Sequence, residues 1–277
     1  MLDLFRYDFF IHALIGVAII AIASAIIGTY IFARRLVAIA GGITHACFGG
    51  LGLGYFLGWN PIVTAGLFAV GSSLSVDWMS SRQKVREDSA IAVIWSMGMA
   101  VGVLFVFLTP GYVPELNSFL FGNILTITPG DIIVFAVYTL LLGVFVAARF
   151  KVIIAVAFDR DFARINGLPV TLISTIMSVF TAIGIVLIIR LVGVMLLMSM
   201  LSLPQMIAET RYHRMAPLMW ASAGISLACC VGGLLATAYI NVPCSALIVI
   251  IMAVVYIIAR IAASTRDRLV NRRRRQP

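Results

Sequence analysis

One imidazole stands in a glycine-rich apolar run. Residues 39–54 read IAGGITHACFGGLGLG, with His45 near the centre. An ionisable side chain inside an apolar span is a functional candidate by default. Imidazole and thiolate suit zinc, whereas oxygen ligands suit manganese. Thr44 adds a hydroxyl and Cys47 a thiol, but on a helix neither shares the face of His45. Gly41 and Gly49 do, one turn before and one turn after, and with Gly42 and Gly50 they leave this helix low in relief. Such a face fits two roles. It can line the route of a passing ion, with His45 as a weak ligand, or it can be a small-residue packing seam with the imidazole bonded to a carbonyl.

The chain around it is built for lipid. It has 277 residues, 62% hydrophobic and 11% charged, against about 25% charged in soluble domains. Too few charges remain to clothe a surface facing water. A membrane helix needs about 20 mostly apolar residues. Runs at 9–33, 36–58, 61–76, 90–109, 131–148, 169–189, 191–208, 216–239 and 244–263 meet or approach that length. The count is nine spans, or eight if the segments flanking Arg190 form one bent element. The whole chain, 1–277, reads as a single all-α, polytopic transmembrane bundle. The first run is too long for a signal peptide and lacks a clean cleavage site, so it reads as a retained helix. The four cysteines lie in apolar segments without a CxxC pair, which implies no disulfide framework.

Charge placement gives a topology. Arg34 and Arg35 follow the first run, Arg82, Lys84 and Arg86 the third, Arg149, Lys151, Arg160 and Arg164 the fifth, and Arg211 and Arg214 the seventh. A basic tail, 264–277, follows the ninth. The intervening loops carry only Glu115. Lys and Arg accumulate on the cytoplasmic side, which predicts an external N-terminus and a cytoplasmic C-terminus. The net charge of +9 therefore belongs to loops and a lipid-facing tail, not to a nucleic-acid surface. Residues 116–129, LNSFLFGNILTITP, are apolar but short, and read as a re-entrant or interfacial piece.

The loop 156–170, VAFDRDFARINGLPV, carries its own helix signals. Asp159 and Asp161 favour a helix start. Gly167 suits the position just past a helix end, and Pro169 blocks extension. A two-turn helix on the cytoplasmic face is predicted, either as a plain connector or as a handle for a soluble partner.

These stretches together resemble the permease subunits of metal-type ABC importers. FDRDFARINGLP is similar to that family's coupling segment: Phe158 and Asp159, then Ala163, then Gly167 with a hydrophobic residue and Pro169. GGITHACFGGLGLGYFLG resembles its second-helix motif. LVGVMLLMSMLSLPQMIA resembles a helix that ends in a proline, here Pro204. NSFLFGNILTIT and YINVPCSALIVII resemble two further segments, all in the right order between Arg34 and Ile258.

The resemblance implies a type II ABC importer permease-like bundle in the inner (cell) membrane of a bacterium or archaeon. It would be a homodimeric pore subunit, not an enzyme, with two ABC ATPase subunits below and an external metal-binding protein above. The cargo would be zinc or manganese, or else iron, with no tightly bound cofactor. It implies ATPase coupling through Phe158, Asp159, Asp161, Ala163, Gly167 and Pro169, and a metal path past His45, Thr44, Cys47 and Asn123. Gly41, Gly42, Gly49, Gly50 and Pro204 would serve helix packing or hinging. Two positions depart from the family. An aspartate is usual four residues before the histidine, where this chain has Gly41, and another after the Phe-Gly pair, where it has Asn123. With both acids missing, zinc gains slightly over manganese. The rivals are an iron-siderophore or vitamin B12-type ABC permease and a cation-coupled secondary carrier. The second would need buried acids that this chain scarcely has. Neither a P-loop nor an HExxH motif occurs.

Overall fold

The computed structural model describes residues 7–110, 122, 124–239 and 242–274, and the side chains of these except 125 and 267–274. Among the described residues ten α-helices follow in order: α1 Asp8–Ala33, α2 Val37–Leu57, α3 Pro61–Arg82, α4 Glu87–Leu108, α5 Pro129–Phe158, α6 Arg160–Ile165, α7 Val170–Met200, α8 Leu203–Glu209, α9 Met215–Thr237 and α10 Cys244–Arg274. A 3₁₀ turn, Ile124–Thr126, precedes α5. No strand occurs among the described residues. In lipid every backbone group must be satisfied within its own segment, which leaves helices as the spanning element for such a chain.

Local chemistry sets the helix starts. The Asn60 side chain accepts from the amides of Ile62 (3.0 Å) and Val63 (3.4 Å), with Pro61 in the first turn. Thr128 and Asp131 form a reciprocal capping box at the start of α5. Three helices outrun the sequence expectation, the third in the chain reaching Arg82 rather than 76. The fifth continues past 148 to Phe158 and takes in Arg149 and Lys151, with a kink at Arg149, whose φ of -115° and ψ of 17° are non-helical. The last keeps a helical backbone to Arg274, well into the basic tail.

Among the described residues, eight helices are long and apolar enough to cross a membrane, counting 170–209 as one. That segment reverses direction. Gly193 has φ 77° and ψ 171°, a region open only to glycine. Just before the reversal, Arg190 pairs with Asp131 at the start of α5. After it, Glu209 and His213 line a cavity of about 430 Å³ together with Arg35 and Phe158, at the far end of α5. The chain thus runs out along α7 as far as Gly193 and returns through the rest of α7 and α8. The bend is at Gly193, not at Arg190, and among the described residues the two limbs together with seven single crossings make nine passes between the ends of the bundle.

α2 is the most enclosed helix and α10 the least. Glycine sets how closely the core helices approach. A Cβ on Gly49 would stand 2.9 Å from the Gly98 carbonyl oxygen of α4, and one on Gly42 would stand 2.5 Å from Ile91. Gly50 meets Thr64 and Phe68 of α3 in the same way. Lipid tails are as apolar as leucine, so helices associate in a bilayer through this kind of close packing of small residues. Pro204 lies in the first turn of α8, where its missing N–H costs nothing.

Candidate functional site

The glycine seam fixes where His45 can point. With Gly42, Gly49 and Gly50 pressed on α3 and α4, the imidazole of α2 leaves the packed core and is only half-buried. It lies flat on Trp95 of α4, with ring centroids 4.5 Å apart and planes 8° from parallel. One turn away, the space beside Gly41 is filled. A Cβ there would lie 3.1 Å from the Met198 methyl and 3.5 Å from the Trp95 ring. Met198 belongs to the returning limb of 170–209. His45, Trp95 and Met198, from three separate helices, therefore form one half-open face.

Thr44 and Cys47 do not join it. Both are completely buried on other sides of α2, and the Thr44 hydroxyl has no hydrogen-bond partner. Asn123 lies outside the described residues. Among the described residues, no group of three or more His, Cys, Asp or Glu side chains could hold a metal ion. The face can offer one imidazole and one thioether, which suits transient contact rather than tight retention.

At the basic end, α6 forms as its residues dictate. The Asp159 carboxylate accepts from the amides of Asp161 (3.0 Å) and Phe162 (2.9 Å). At the other end Gly167 has φ 73°, its N–H donates to Arg164, and the Leu168 N–H donates to Ala163. These bonds satisfy the last carbonyls. Ala163 is the one fully buried residue of α6, while Phe158, Phe162 and Ile165 stand exposed. The result is a short, doubly capped helix with an apolar outer face beyond the membrane-spanning helices.

Next to it lies a charge cluster that the sequence reading overlooked. Arg34, just past α1, donates to Glu87 at 2.8 Å and stands 3.9 Å from Asp77. Arg160, the first residue of α6, bonds the same two acids at 3.1 Å and 3.5 Å, and donates to the Ser174 hydroxyl. Ser178 donates to Asp77, and Ser80 to Glu87. Burial alone lowers the pKa of Arg34, whose side chain is 6% exposed, but Tyr30, Glu87 and Asp77 outweigh it, and the guanidinium titrates above the ordinary arginine value. One signal for the cluster was present: the apolar run 61–76 stops one residue short of Asp77, so an acid sits at the very edge of a span. Trp95, Met198 and the Gly193 reversal had none, since aromatic, thioether and glycine residues are ordinary in apolar helices.

At the opposite end Asp131 both caps α5 and pairs with Arg190 at 2.8 Å. Arg190 thus has an internal partner and does not rest on lipid headgroups alone. Gly122 packs against the Gly193 reversal in the same region.

Comparison with known proteins adds to this geometry. Residues 6–263 match the family model described as the ABC 3 transport family. A probable metal transport system membrane protein of Chlamydia pneumoniae is 34% identical, over 85% of this chain and 83% of its own. The manganese transport system membrane protein MntB of a Synechocystis strain is 28% identical, over 93% and 84%. Among solved structures, PsaBC from Streptococcus pneumoniae in complex with Fab superimposes with a TM-score of 0.80 at 23% identity, covering 92% of each chain.

Proposed function

The chain belongs to the ABC 3 transport family, and from that premise we propose that it is the pore-forming permease of an ATP-driven importer of divalent transition metal ions. Two copies form the pore in the cell membrane of a bacterium or archaeon. Two ATPase subunits dock at the basic end and an external metal-binding protein delivers cargo at the other. The N-terminus is then external and the C-terminus cytoplasmic, as the basic loops favour. The observation that carries this reading is α6: a short capped helix whose Phe162 and Ile165, with Phe158 at the end of α5 beside it, stand exposed among the described residues.

The ion passes the face of His45, Trp95 and Met198. Weak, sparse ligation there allows both entry and exit. Relatives named for manganese transport favour manganese as cargo. A second reading, zinc, rests on Gly41, where Met198 and Trp95 occupy the space beside the histidine and no carboxylate is present. Vesicles containing the permease, its ATPase and its delivery protein test both. Uptake of manganese or zinc that requires ATP supports the proposal. Metal uptake that proceeds equally without the ATPase subunit would overturn it.

A further inference from the structure

We infer that Arg160, Glu87, Asp77 and Arg34 form the linkage that carries displacement of α6 to the helix pair bearing His45 and Trp95. The inference rests on the reading of α6 as the ATPase contact and names the residues through which that contact acts.

Three observations carry it. First, α6 has little else to hold it. Ala163 is its only buried side chain, and it packs mainly on α5 and the start of α7, the neighbours to which it is already joined in sequence. Among the described residues, Arg160 makes its only ion pairs to α3 and α4. Second, the acids are shared. Asp77 and Glu87 each face both arginines, so α6 cannot shift without breaking or carrying along contacts to α1, α3 and α4 together. Two positive and two negative side chains balance, which makes a half-broken cluster costly at this depth. Third, the linkage ends where the candidate path begins. Glu87 is the first residue of α4, and Trp95 lies eight residues on, about 12 Å along the same helix. Arg34 stands three residues before α2, the helix of His45.

A tie that transmits motion and a tie that only stabilises the fold differ in one respect. Removing both members of the Arg160–Glu87 pair restores charge balance, because Arg34 and Asp77 remain. Stability should then recover, but the mechanical link stays cut.

The test uses the complete transporter in vesicles, with manganese and zinc as cargo. It measures melting temperature, ATP hydrolysis and metal taken up per ATP. Arg160→Gln and Glu87→Gln should each lower uptake per ATP by roughly tenfold, within the usual range of coupling effects. The double variant should melt near the wild type and still show the loss, while Arg160→Lys, which keeps the charge, should recover part of the coupling. The inference is overturned if the double variant regains normal uptake per ATP, or if either single variant melts normally and transports normally. Failure of the underlying reading looks different. In that case the wild-type complex itself shows no ATP-dependent uptake, or Phe162→Asp leaves ATPase binding intact.

Discussion

The imidazole of His45 lies parallel to the indole of Trp95, 4.5 Å away, across the tight glycine seam between α2 and α4. Stacking holds the ring at one edge of the seam, half-buried, where it can meet something that passes.

His45→Ala should reduce metal uptake by about tenfold or more, while ATPase assembly and melting temperature stay near the wild type, because no hydrogen bond or ion pair of the fold is lost. Trp95→Leu should have a smaller effect in the same direction by freeing the ring. Unchanged uptake in His45→Ala would return the residue to a packing role.

Met198 fills the space beside Gly41, where a carboxylate would alter the ligand set. Gly41→Asp should raise uptake of manganese relative to zinc, since oxygen ligands suit the harder ion. Competition between the two metals in the uptake assay reads this directly. A preference that does not move would show that the ion does not contact this face.

Gly49 tolerates no side chain without moving the Gly98 carbonyl or Phe68. Gly49→Leu should destabilise the bundle by about 1–3 kcal/mol or more through overpacking. Gly66, which has open space where a Cβ would stand, is the control, and Gly66→Leu should melt like the wild type. Thermal melts in detergent compare the two.

Gly193→Ala places a Cβ in a glycine-only backbone region. The cost should be about 1–3 kcal/mol, with loss of uptake if the returning limb is displaced. A melting temperature equal to that of the wild type would mean that the chain does not reverse there.

Asp161→Lys, or deletion of Gly167 and Leu168, should uncouple ATP hydrolysis from transport. The first puts a positive charge at the N-terminus of α6, where the helix dipole disfavours it. The second removes the residue that lets the helix end. Normal uptake in both variants would contradict a coupling role for α6.

Much of the architecture follows from composition, run length and turn chemistry alone. The bilayer class, the nine-pass layout with basic loops at one end, and the short helix between Asp159 and Gly167 all depend on interactions within a few residues of each other, so one sequence suffices to specify them. Tertiary structure decided the rest. The bend in 170–209 belongs to Gly193 rather than to the charged Arg190 beside it, because a φ of 77° with an extended ψ is a backbone state that no residue count reveals. Cys47 and Thr44 are neighbours of His45 in sequence but separate from it in space, since a helix turns each away from the open face. Trp95 reaches His45 from 50 positions further along the chain, and Met198 reaches Gly41, one turn from His45, from 157 positions further along. Arg34, Asp77, Glu87 and Arg160 look like independent loop charges in the sequence, and they become one balanced cluster only because four helix ends converge at the basic end of the bundle, where partial burial makes each charge depend on its opposite.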